Sequence, residues 1–303
     1  MVSSGVWAGE IPLERAHNLA SVMKGDNATM LTELQRIGYL GDMPCSHEAM
    51  PIAAHFELHI EQGTRLEAKQ QKVGIVTGAQ AFRWFTCTVK GRDCHAGTTT
   101  LHTRADALLA AAKMIVAARE IAHRAGALAS TGIIEAKPGS TNTVPGEVSF
   151  TLDIRAMEDN QVLETERLTK EEFGKIAAGE HPEYLGSLTQ AAHPDKCTVH
   201  WRQDADNPAI HFHDDCIQCV TDAAGGLFGG EASKLTQRLV SGAGHDSVYT
   251  SKRVPTSMIF VVSKDGISHN PREYTSPEDC AIGAQVLMGA VLNYDKLRAE
   301  RGS

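Results

Sequence analysis

The sequence predicts an α/β protein carrying an inserted ferredoxin-like α+β unit, and three observations predict it. Segments that alternate apolar and polar residues, such as Glu147–Ala156, are interspersed with segments of helical period. The middle of the chain reads β-α-β-β-α-β, the order of the split βαβ motif. On both sides of that middle, strands and helices keep alternating, as in a layered α/β domain. The expected division is residues 1–76 with 204–303 as one domain and residues 77–203 as the insert.

Taken in order, Ile11–Met23 and Asn27–Ile37 read as an amphipathic helix pair, the second with Met30, Leu31, Leu34 and Ile37 inward and Asp26 or Asn27 as N-cap. Ala53–Ile60 alternates as a strand does and carries His59 near its end. Phe82–Val89 is a strand rich in aromatic and β-branched residues. Arg104–His123 is an alanine-rich helix expected to bury Leu108, Leu109, Ala112, Ile115 and Val116. Leu128–Ala136 and Glu147–Ala156 are strands around the turn-rich Pro138–Asn142, followed by a helix at Asn160–Phe173 and a strand at Cys197–Arg202. Between these last two, Ala177–Lys196 is polar and reads as loop. A helix (Asp214–Leu227), a Gly-rich turn, a strand (Thr256–Val262) and a helix (Pro277–Leu292) complete the chain.

Composition narrows the function classes. With 42% hydrophobic and 22% charged residues among 303, the chain can bury a core and is not a disordered protein. Its net charge of −8 and lack of a basic patch speak against nucleic acid and anionic membranes as partners. No apolar run approaches the roughly 18 residues that span a bilayer. The first residues have neither a basic nor a long apolar segment of the kind a secretory signal has, so a cytoplasmic location is expected. Seven scattered cysteines fit reduced thiols better than a disulfide framework. Cys216 and Cys219 form a C-x-x-C pair inside a helical stretch, read as two helix-face thiols in preference to a redox or zinc pair.

Three histidine clusters concentrate the chemistry: His59-Ile60-Glu61-Gln62-Gly63, Gly91–Thr99 around His95, and Ser268-His269-Asn270-Pro271-Arg272-Glu273, preceded by Gly242-Ala243-Gly244-His245-Asp246. None has the spacing of H-E-x-x-H or a zinc finger. Together with Thr141–Gly146 and Asp153-Ile154-Arg155, in this order, they resemble the N-carbamoyl-L-amino-acid hydrolase, allantoate amidohydrolase and yeast-type β-ureidopropionase family of the dinuclear-zinc peptidase and aminoacylase superfamily. The resemblance begins at Ser4-Gly5-Val6-Trp7-Ala8-Gly9 and runs almost to the C-terminus.

The resemblance implies a zinc-peptidase-like α/β catalytic domain whose insert serves as lid and homodimerisation domain. It implies hydrolysis of a small carbamoyl or ureido substrate with a pair of divalent ions, zinc or manganese. His59 and His269 match ligands, one to each ion. His95 matches an insert histidine that stabilises the oxyanion in the partner subunit's site. Gln62, Asn142 and Arg155 match residues that hold the ureido group and carboxylate, and Gly242, Ala243 and Gly244 match a backbone turn lining the pocket. A guanidinium fork such as that of Arg155 grips carboxylates bidentately. Family members also carry, upstream of the Ser-Gly-Val-Trp-Ala-Gly motif, a His-x-Asp segment and a Glu-Glu pair that complete the ligand set; neither stands ahead of that motif in this sequence. Two readings follow, a metal-dependent amidohydrolase and a non-catalytic, dimer-forming protein that keeps the insert as an interaction module.

Overall fold

The computed structural model describes residues 1–23, 25–180 and 196–302. Most of the segment expected to be loop at Ala177–Lys196 thus lies outside the described residues, and Ala177 and Ala178 end a helix. In chain order the elements are α1 (Val2–Trp7), α2 (Leu13–His17), α3 (Met30–Arg36), β1 (His55–Ile60), α4 (Arg65–Ala68), β2 (Val73–Ala79), β3 (Ala81–Lys90), β4 (Cys94–His95), α5 (Ala107–Arg124), β5 (Leu128–Ser130), β6 (Ile134–Lys137), β7 (Thr143–Val144), β8 (Glu147–Ala156), α6 (Asp159–Ala178), β9 (Thr198–Asn207), β10 (Ile210–His211), α7 (Asp214–Phe228), α8 (Ala232–Leu235), β11 (Thr236–Ser241), α9 (Asp246–Thr250), β12 (Thr256–Val261) and α10 (Pro277–Arg301). They form two compact units, Met1–Ala79 with Ile210–Ser303, and Gln80–Ala209.

In the first unit the sheet runs β1-β12-β2-β10, with β11 also on β2. All six residues of β12 are buried, as in a strand covered on both faces. Phe56 of β1 meets Tyr294 of α10 edge-on at 5.8 Å. Gly283 lets α10 lie close: a Cβ there would come within 2.6 Å of Val261 and 2.7 Å of Leu58. Phe56 and Leu58 therefore take the α10 side of β1, and alternation turns His55, Glu57 and His59 to the other face. The N-cap of α3 is Thr29 in a reciprocal capping box with Thr32, not Asp26 or Asn27; Asp26 instead accepts from the Ala28 N–H in a local turn. Cys216 and Cys219 are both buried in α7, and burial pushes the Cys216 thiol up to about 12, which makes it unreactive.

The second unit is a sheet of order β5-β8-β3-β9, with β6 extending the β5 side, and all its pairs are antiparallel. Val148, Phe150, Leu152, Ile154 and Ala156 point inward from β8, and Glu147, Ser149, Thr151, Asp153 and Arg155 take the other face. The helix α5 corrects an expectation. Its buried residues are Ala107, Ala110, Ala111, Met114, Ala117, Ala118 and Ala122, whereas Leu108, Leu109 and Val116 are exposed. Small side chains let the helix axis sit close to the sheet, and Phe150, Phe173 and Met114 supply the volume.

A half-buried ion network ties α6 to this sheet. Glu166 sits between Arg83 of β3 and Lys170, each at 2.5 Å. Burial raises the Glu166 pKa, but hydrogen bonds from Lys170 and Arg83 outweigh it and hold the carboxyl below its ordinary value. A depressed native pKa stabilises the fold above the unfolded carboxylate pKa, and that contribution drains away as pH falls through the native value. Urea midpoints measured from pH 7 down to pH 3 are expected to fall at the acid end. Glu166→Gln is expected to start lower and show a flatter acid limb; an unchanged limb would place the dependence elsewhere.

Candidate metal centre

The centre is built on the open face of β1. The register of β1 with β12 sets His59 opposite Phe260, and the turn after β11 returns His245 to the same place. His245 is 3% exposed, and its ring meets that of His59 edge-on with centroids 4.6 Å apart. Donor atoms of Glu57, His59 and His245 all lie within 4.8 Å of one another.

Hydrogen bonds set the state of each donor. His59 Nδ1 lies 2.7 Å from the Ile60 carbonyl and must carry the proton there, which leaves the Nε2 lone pair for a cation. His245 Nε2 bonds Ser241 Oγ at 2.8 Å. Burial, with His59 alongside, pushes His245 down to about 4, so its imidazole is neutral at neutral pH. Glu57 Oε2 accepts from both the N–H and the hydroxyl of Ser247, at 2.9 and 2.7 Å. Two imidazoles and a carboxylate anchored by Ser247 are a donor set that fits zinc or a similar divalent ion and leaves coordination positions open.

A cleft of about 270 Å³ adjoins this centre, with Gln62, Gly63, Gly242, Ala243 and Phe260 among its lining residues. Phe260 connects the two, its ring centroid being 6.4 Å from that of His59 and 5.6 Å from that of His245. The sequence profile of Peptidase family M20/M25/M40 matches residues 25–293. The chain belongs to this family. Among proteins similar to it, an N-carbamoyl-L-amino-acid amidohydrolase of Rhizobium meliloti is 35% identical over 297 residues, covering 96% of this chain and 65% of that protein. The allantoate amidohydrolase of Escherichia coli (strain K12) is 32% identical over 239 residues, covering 78% of this chain and 53% of that protein. A crystal structure of a hydantoinase/carbamoylase family amidase from Burkholderia multivorans superposes with a TM-score of 0.79 at 37% identity, over 95% of this chain and 65% of that one. The chain thus spans less than two thirds of the length of each of these three relatives.

In this M20-family chain the residues singled out from sequence fall into separate groups. Gln62, Gly242 and Ala243 share the cleft wall; Gly244 does not line it and lies against the Met1 side chain. His269 is exposed and stands outside the Glu57–His59–His245 cluster; its Nε2 is 3.3 Å from Gln62 Nε2. Gln62 also donates to Ser268 Oγ at 2.7 Å, and Glu273 accepts from Ser268 Oγ and the His269 N–H. Gln62 and His269 both hold positive φ, 58° and 55°, a conformation that costs non-glycine residues roughly 1–2 kcal/mol and gathers at functional sites.

In the second unit, pairing of β4 with β7 sets His95 opposite Thr143, and the Ala96 N–H bonds the Asn142 carbonyl at 2.8 Å. His95 Nδ1 accepts from the N–H groups of Gly97 and Thr98, so the proton sits on Nε2, an exposed donor. Arg155 lies eight residues along β8 from Glu147, roughly 26 Å at strand rise. It bonds Asp153 at 2.7–3.0 Å and lies over the Phe82 ring at 5.2 Å. Glu57 and His245 went unassigned as metal donors in the sequence. Their signals were present, in the i, i+2 spacing of Glu57 and His59 on a strand and in the Gly-Ala-Gly-His-Asp turn.

Proposed function

We propose that this chain carries the site of a metal-dependent amidohydrolase that cleaves the non-peptide C–N bond of an N-carbamoyl amino acid or related ureido compound. The observation that carries this is the Glu57–His59–His245 donor set next to a cleft walled by Gln62, Gly242 and Ala243. Zinc or manganese suits these donors, and His269 is the ligand proposed for the second ion of a two-ion site. When bound, the metal supplies Lewis acidity, polarising the scissile carbonyl and lowering the pKa of water.

The chain's own residues do the rest. The Gln62 and Asn142 amides match the donors and acceptors of a ureido group, and the backbone of Gly242–Gly244 allows close approach. His95 offers its Nε2–H, in the partner subunit's site, to an oxygen that gains negative charge in the transition state, a contribution that grows as water is excluded. Arg155 offers its fork to a carboxylate, in competition with Asp153. We place the protein in the cytoplasm as a homodimer paired through residues 77–203; the buried thiols Cys87, Cys216 and Cys219, none of them in a disulfide, accord with a reducing compartment. No helix among the described residues is long and apolar enough to cross a membrane.

The test is elemental analysis of the purified chain after dialysis with zinc or manganese, coupled to an assay of ammonia release from N-carbamoyl amino acids. At least one tightly held ion per chain and metal-dependent release are expected. A chain that holds no ion and releases no ammonia favours the non-catalytic reading instead.

A further inference from the structure

We propose that Arg104 is a positioning residue for His95: by gripping the Ala96 carbonyl it turns the Ala96–Gly97 peptide so that the imidazole is held in the tautomer that donates from Nε2. This inference rests on the amidohydrolase reading and on the role given there to His95, and it concerns the second unit alone. The loop that carries His95 has no anchor in the core, since His95, Ala96, Gly97 and Thr98 are all exposed. Hydrogen bonds therefore set its shape. The Arg104 guanidinium donates to the Ala96 carbonyl at 2.6 Å, and to the Thr99 carbonyl at 3.1 Å from Nε and 2.9 Å from Nη2. One side chain thus closes both ends of the Ala96–Thr99 turn.

The link to the imidazole runs through one peptide plane. The Ala96–Gly97 peptide is trans and planar, so its C=O and its N–H point in opposite directions. With the Ala96 carbonyl turned to Arg104, the Gly97 N–H is turned away from it, and it donates to His95 Nδ1 at 3.1 Å. The Thr98 N–H adds a second, longer donation at 3.3 Å. Two N–H groups aimed at Nδ1 exclude a proton there, so the neutral ring carries its proton on Nε2. Ala96 is fixed on its other side too, its N–H bonding the Asn142 carbonyl at 2.8 Å. Arg104 itself stands on firm backbone: Ala105 bridges Arg92, and Asp106 caps α5 by accepting from the Leu108 and Leu109 N–H groups.

The full, metal-loaded chain is compared with R104M, R104K, H95A and the double variant H95A/R104M, with thermal melting as the check that each folds. R104M is expected to lower kcat for ammonia release from an N-carbamoyl amino acid about 10- to 100-fold while KM changes less than about twofold, the scale of a misplaced catalytic group. R104K is expected to recover part of that loss, since it restores a donor without the fork. On the H95A background, R104M is expected to cost less than about twofold more, because the two residues act as one unit. An equal loss on both backgrounds overturns the inference, since Arg104 would then act otherwise than through His95. The second readout needs no activity: the 15N shifts of the His95 ring, identified by their absence in H95A and read at about pH 8.5, above the ordinary histidine range. The wild-type chain is expected to show a bare Nδ1 and a protonated Nε2, and R104M to show shifts averaged between the two. Unchanged ring shifts in R104M overturn the inference. If R104M does not fold, R104K carries both readouts with the same directions. A wild-type chain that releases no ammonia overturns the amidohydrolase reading; the ring shifts then decide by themselves whether Arg104 holds the tautomer, averaged shifts upholding it and unchanged shifts overturning it.

Discussion

Replacing His59 by alanine is expected to strip the chain of tightly held divalent metal, lowering its affinity for zinc or manganese by at least about 100-fold. Changes to groups that merely orient ligands cost about 10–100-fold, and His59 is placed to donate directly. Its Nδ1 proton is committed to the Ile60 carbonyl, so Nε2 is the available lone pair, and Glu57 and His245 converge on the same spot. Asn is the informative companion substitution, since it keeps polarity and much of the volume against His245 and Phe260 without the imidazole donor. Metal content by elemental analysis and Kd by competition with a chelating dye are the readouts. Wild-type metal content in His59→Ala would reduce His59 to a packing residue and with it the case for a metal centre.

Phe150→Ala is expected to lower the stability of the second unit by about 3–5 kcal/mol, the range for deleting a fully buried aromatic ring. Phe150 is 1% exposed in the middle of β8, packed against Phe173 of α6 with centroids 5.9 Å apart. Phe173 in turn meets Trp201 of β9 at 5.1 Å, so the lost ring opens a void among three elements. The alanines of α5 are too small to fill that void. Trp201 gives the unfolding transition a fluorescence signal from inside this core, read in urea at neutral pH. A loss below about 1 kcal/mol would mean that the core collapses around the gap, because collapse is what decides the spread of such costs.

How much of this was legible depended on whether the signal was local. The strand Glu147–Ala156 could be read from its strict alternation, and the last helix from its alanines and leucines, though it was placed at Pro277–Leu292 and runs to Arg301. The strands Val73–Ala79 and Thr236–Ser241 were not read. Six of the seven residues of Val73–Ala79 are buried, and a strand buried on both sides does not alternate. The α5 face was misassigned because bulk was taken for burial, while the sheet selected the alanine stripe.

By itself the sequence determined the α/β class, the ferredoxin-like order of the middle unit and the family, through ordered motifs that are each local. It also marked His59, His95, Gln62 and the Gly242–Gly244 turn as places to look. Only the tertiary structure decided which of these meet. Glu57 and His245 are separated by 188 positions, and no pattern along the chain links them. They become neighbours because the β1–β12 register and the turn after β11 converge on one face of a sheet. The burial of His245 and the hydrogen bonds that Ile60, Ser241 and Ser247 make to these side chains orient them as donors, and those partners exist only once the chain has folded.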